Sequence, residues 1–114
     1  MKVKILLALI TAMIIGIVTT PVWALEKGNE RKGKYTYRKV YKSCQTRGVV
    51  NSPKPIPNPD SKTQAEWQEI FENKDFSEFR CVEEFNNLEE KDLLDIFTYL
   101  HAHASDSGSP LKCK

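Results

Sequence analysis

The sequence predicts a small all-α domain behind a secretory leader. Apolar and aromatic residues recur at three- and four-residue spacing near both ends of the chain, at Tyr37, Val40, Tyr41 and Cys44 and again at Leu93, Ile96, Phe97 and Leu100. Asn29 and Thr63 stand where helix-capping side chains are expected. No stretch of any length alternates apolar and polar residues as a half-buried strand would.

The leader comes first in the chain. Lys2 and Lys4 precede an apolar run over 5–18, and Val22-Trp23-Ala24 offers small or modest side chains where a signal peptidase reads. The run is short for a membrane span. An uncleaved anchor is the rival reading, but the Thr19-Thr20-Pro21 break and Ala24 favour cleavage. The expectation is a signal peptide over 1–24, a single mature domain over 25–114, a periplasmic or secreted location and no membrane span after cleavage.

The first helix opens at the Asn29 cap and runs to about Ser43, with Tyr37, Val40, Tyr41 and Cys44 on one face. A connector over about 48–60 follows, with prolines at 53, 55, 57 and 59. These remove backbone donors and fix extended geometry, so the connector is expected to wrap the surface. Thr63 and Glu66 form a capping-box pattern, and Trp67, Ile70 and Phe71 give the second helix its apolar stripe. Phe76, Phe79, Val82 and Phe85 continue on a short helical piece, as core rather than as a cofactor box. The last helix has Glu89, Glu90 and Asp92 in its opening turns, where the dipole favours negative charge. Its stripe is Leu93, Ile96, Phe97, Leu100 and Ala104, and the Ser- and Gly-rich stretch 105–110 ends it.

Charge is divided along the chain. Residues 25–54 carry nine Lys or Arg against Glu26 and Glu30, whereas 55–114 carry six against thirteen Asp or Glu. A basic front with an acidic back fits docking onto an acidic partner, or a solvated surface. No nucleic-acid-binding motif accompanies the basic residues, so nucleic acid is not expected as a partner. No nucleophile and base sit in a motif that would orient them, and no close His or Cys pair suggests zinc, so the chain is not expected to be an enzyme. Three cysteines, Cys44, Cys81 and Cys113, predict one disulfide and one remaining thiol in an oxidising compartment, with three pairings open.

The first and last helices resemble those of the class I cytochrome c family. Gly33 is followed by Tyr37 at +4, Tyr41 at +8, Cys44 at +11 and Gln45 at +12. These offsets are similar to the family's glycine, aromatic residue, first and second haem-attaching cysteines and iron-ligating histidine. The closing run Asp92-Leu93-Leu94-Asp95-Ile96-Phe97-Thr98-Tyr99-Leu100 resembles the family's last helix. The resemblance covers about half of the mature chain and implies that the two terminal helices cross closely, with Gly33 admitting the contact. It also implies haem c as the ancestral cofactor and electron transfer as the setting.

The same alignment shows what is missing. Tyr41 stands for the first thiol and Gln45 for the axial histidine, and an amide oxygen is a poor iron ligand beside imidazole. Met1 and Met13, the chain's two methionines, both fall in the leader, so the family's methionine ligand is absent from the mature chain. Cys44 could hold haem by a single thioether. His101 and His103 stand about 200° apart around their helix and cannot share one metal, and either could reach iron only if the helix end bordered the pocket. They read better as solvent-facing residues at a helix end. If haem is lost, a disulfide is a reasonable source of compensating stability. The expected pair is Cys81 with Cys113, with Cys44–Cys81 as the alternative. The reading is a haem-free accessory or binding subunit of a redox system, docking through Lys32, Lys34, Arg38, Lys39 and Lys42 onto an acidic face of a redox protein. An electron carrier with haem on Cys44 and an unrelated disulfide-stapled secreted module are the other readings.

Overall fold

The computed structural model describes residues 27–112. The leader and Cys113 lie outside the described residues. Four helices follow one another: α1, Glu30–Thr46; α2, Gln64–Asn73; α3, Val82–Asn86; and α4, Glu90–Ala102. Single 3-10 turns at Pro59–Ser61 and Ser77–Phe79 precede α2 and α3. Among the described residues there is no strand, and no helix is long and apolar enough to cross a membrane.

The caps set the helix boundaries. Asn29 Oδ1 accepts from the Lys32 N–H at 3.0 Å, and α1 runs one turn further than its sequence pattern indicated. At α2, Thr63 and Glu66 exchange both bonds of the capping box, at 3.2 and 3.0 Å. Helix α2 then ends on Lys74, which takes a left-handed φ of 50° and donates its N–H to the carbonyls of Ile70 and Phe71. Helix α4 begins without a side-chain cap, but Glu90 and Asp92 occupy its first turn.

Helices α1 and α4 make the most extensive contact in the molecule. Gly33 is what allows it: a Cβ there would lie 1.9 Å from the Asp95 carbonyl oxygen. At Gly28 a Cβ would come within 2.7 Å of both the Leu94 carbonyl and Thr98 Oγ1. The contact is also polar. The Gly28 N–H donates to Thr98 Oγ1 at 2.9 Å, and the Asn29 N–H donates to Asp95 Oδ1 at 2.7 Å. Asp95 is only 2 % exposed, and its carboxylate meets the positive end of α1.

Beside this crossing lies an aromatic core. Phe79 sits at its centre, 4.4 Å from Phe85, 5.9 Å from Tyr37 and 6.0 Å from Trp67 between ring centroids. Phe71 and Phe76 extend the cluster, with centroids 5.5 Å apart. The polar ends of three buried rings reach backbone carbonyls: Tyr37 Oη to Pro57, Tyr41 Oη to Phe79, and Trp67 Nε1 to Pro59, at 2.8, 2.8 and 2.9 Å.

Four expectations need correction. The connector is not confined to the surface, because Pro55, Pro57 and Pro59 are buried. Alternate positions of an extended chain share one face, and a proline turned inward has no N–H to leave unsatisfied. Val82, expected in the apolar stripe, is 40 % exposed, because a left-handed Arg80 breaks the segment and restarts it as α3. The two histidines are half-buried and partnered rather than solvent-facing, as described below. Last, the disulfide joins Cys44 to Cys81, with Cα atoms 5.8 Å apart, and so replaces the expected Cys81–Cys113 bond. The last turn of α1 abuts the start of α3, which brings these two thiols together. The tail is held by backbone bonds instead, from the Leu111 N–H to the His103 carbonyl and from the Asp60 N–H to the Leu111 carbonyl.

Candidate functional site

The segment Tyr41-Lys42-Ser43-Cys44-Gln45, which resembles a haem-attachment motif in spacing, occupies the inner face and last turn of α1. Cys44 is fully buried and its sulfur is bonded to Cys81, so no thiol is free there to form a thioether. Tyr41, three residues before it, is also fully buried and holds the carbonyl of Phe79, two residues before Cys81. Tyr41 and Cys44 therefore grip the same loop, one by a hydrogen bond and the other by a covalent bond. Gln45 points outward and its Nε2 donates to the Asn51 carbonyl at 3.2 Å, closing the turn after α1.

Neither histidine lies near this segment. His101 packs on Phe97, with centroids 5.2 Å apart, and its ring faces the Gln64 amide of α2. Burial lowers its pKa. His103 turns the other way, where Nε2 meets the Glu30 carboxylate and Nδ1 donates to the Ser109 carbonyl at 2.7 Å. No group of three or more His, Cys, Asp or Glu side chains among the described residues converges to hold a metal. The residues therefore do not fit a covalently held haem: the thiol is consumed, the axial position carries an amide bound elsewhere, and packed rings fill the space beside them.

The outer face of α1 has a different character. Lys32, Arg38, Lys39 and Lys42 are exposed, and none of them forms an ion pair among the described residues. The single acid of the helix, Glu30, is engaged by His103. Tyr35 lies in the midst of these cations and is 67 % exposed. Lys34, one turn before Arg38, is half-buried and lines a second depression with Arg31, Tyr99 and His103. Of the docking residues singled out in the sequence, Lys32 and Lys39 line the groove described next, Arg38 and Lys42 are exposed outside it, and Lys34 is half-buried toward the far edge.

A groove of about 440 Å³ runs between this face and the elements opposite. Lys32, Tyr35, Lys39 and Ser43 form one wall, Glu84, Asn87 and Asp92 the other, and Val40 and Leu88 contribute its apolar floor. Arg47 holds Glu84 through two bonds, at 3.0 and 2.8 Å, and this keeps the Glu84 carboxyl pKa below the ordinary carboxylate range. Tyr35 and Leu88 escaped sequence reasoning. A tyrosine three residues after Lys32 and four before Lys39, off the apolar stripe, was the available signal for Tyr35, whereas nothing local marked Leu88.

In comparisons with known proteins, the chain matches no family model, no curated protein and no solved structure.

Proposed function

We propose that the chain is a secreted, periplasmic protein of class I cytochrome c-like descent that has given up haem and serves as a binding subunit of an electron-transfer system. It docks through the outer face of α1 onto an acidic surface of a redox protein. The observation that carries this reading is the set of four exposed cations, Lys32, Arg38, Lys39 and Lys42, none of them ion-paired among the described residues. Clustered charge of one sign raises encounter rates with an oppositely charged partner and fixes its orientation. The family part of the reading is supported by the close contact at Gly33, which is the crossing that the resemblance requires.

Haem chemistry has no role in this proposal. The positions that would carry it serve cohesion instead, through the Cys44–Cys81 bond and the Tyr41 hydrogen bond. What this chain contributes is a rigid cationic helix whose inner side is anchored by the core and whose outer side is free to meet a partner.

The test has two arms. Produced alongside haem-attachment machinery, the secreted protein is expected to have plain polypeptide mass and no Soret absorption. Cross-linking in intact periplasm is expected to join α1 to a redox protein in a salt-sensitive manner, and K39E/K42E is expected to abolish that product. A red protein heavier by one haem, or cross-links unaffected by the charge reversal, would overturn the reading.

A further inference from the structure

We infer that the groove beside α1 receives an acidic polypeptide segment that inserts one apolar side chain between carboxylates. This rests on the docking role proposed above and specifies what the partner presents. The floor, Val40 and Leu88, gives an apolar side chain a place to bury, and Tyr35 at the rim adds an exposed ring beside it. Lys32 and Lys39 flank that spot from one helix face, seven residues and so about two turns apart. From Lys32 to Ser43 the wall is about 16 Å long, the reach of about five residues of extended chain.

Charge complementarity decides the occupant. Arg47 bridges Glu83 and Glu84, so that trio keeps one negative charge on the far wall beside Asp92, which has no ion pair among the described residues, while Lys32 and Lys39 stand unpaired on the α1 side. A segment with carboxylates toward α1 and neutral groups toward Asp92 satisfies both walls, and the Asn87 amide can bond its main chain. A flat anionic membrane would bring headgroups against Asp92 as well and leave the concave floor empty.

Two labelled decapeptides with glutamate at alternate positions and serine between them, so that an extended chain carries its carboxylates on one edge, one with a central phenylalanine and one with a central serine, provide the test, read by fluorescence anisotropy on the secreted protein. At an ionic strength of about 0.15 M the phenylalanine peptide is expected to bind roughly tenfold more tightly than the serine peptide. Ser43→Trp, at an exposed position on the groove wall, fills the groove without changing charge and is expected to erase that difference. Lys39→Glu should weaken both peptides, and circular dichroism verifies that each variant is folded. Equal affinity for the two peptides on the unaltered protein would overturn the groove inference while leaving the docking role intact. Binding insensitive to Lys39→Glu would overturn both. Binding to phosphatidylglycerol vesicles with none to either peptide would also overturn the inference, in favour of a lipid surface.

Discussion

At the α1–α4 crossing backbone meets backbone, whereas in the middle of the chain rings meet rings. The crossing depends on what is absent, a side chain at Gly33 and another at Gly28, and its contacts run through carbonyls, Thr98 and the Asp95 carboxylate. The middle depends on bulk: Trp67, Phe71, Phe76, Phe79 and Phe85 fill volume against Tyr37 and Tyr41, and a disulfide fixes the chain around them. The two regions should fail differently. A close backbone approach has no soft atom to yield, so an added group displaces a whole helix. An aromatic cluster can redistribute its rings, and its weak point is the covalent tie.

The strongest way to break the contrast is at Gly33. In an ordinary helix interior, glycine to alanine stabilises by about 1 kcal/mol. Here the sign should invert, because the new Cβ would lie 1.9 Å from the Asp95 carbonyl oxygen and 2.4 Å from its carbon. Gly33→Leu is expected to cost more than about 4 kcal/mol and to leave little folded protein. Gly33→Ala should destabilise by less, with the same sign. Gly108→Ala, where a Cβ meets nothing within 4 Å, provides the neutral control in denaturant unfolding. A stabilising Gly33→Ala would mean that the helices are not in backbone contact.

Removal of the Cys44–Cys81 bond examines the other region. The bond closes a sequence separation of 37 residues, for which loss of unfolded-state constraint alone predicts roughly 3–4 kcal/mol. The C44S/C81S protein is therefore expected to unfold at markedly lower denaturant while keeping helical circular dichroism in buffer, since Tyr41 still holds the Phe79 carbonyl. Dithiothreitol should reproduce the loss in the unaltered protein. If C113S destabilised as much as the double variant, the pairing described here would be wrong.

How far the sequence disclosed these regions follows from the range of the interactions. Caps are local, so Asn29 and the Thr63/Glu66 box were legible in place, and the stripe of α4 was buried as its spacing required. A packing reason for Gly33 was legible too, because a glycine inside a helix is costly without one, but its partner helix was suggested by the resemblance alone. The disulfide was not, because any of three pairings satisfies the cysteine count and only the packing of α1 on α3 selects one. Asp95 was invisible for a related reason. A carboxylate inside an apolar stripe is reasonable only once the N–H of Asn29, 66 residues earlier, is seen to meet it. The cationic face was legible as composition, but the half-burial of Lys34 was not, and the groove exists only because Leu88 and Asp92 come to lie opposite.

The smallest effect concerns the edge where α4 leaves the aromatic region and touches α2. His101 is half-buried there against Phe97 and Gln64, and burial lowers its pKa in the folded protein. The unfolded chain, with an ordinary histidine pKa near about 6.5, then binds a proton more readily than the folded one. The stabilisation from this site is complete above that value and is lost as pH falls through the lower, folded pKa. His101→Gln should remove this contribution, so the difference in thermal midpoint between variant and unaltered protein should narrow as pH falls from neutral toward acid. Because the ring is partly solvated and Asp106 opposes the shift, the effect is expected to stay within about 0.5 kcal/mol. A difference that widened on acidification would mean that His101 is favoured as the cation in the folded state and that burial does not dominate its titration.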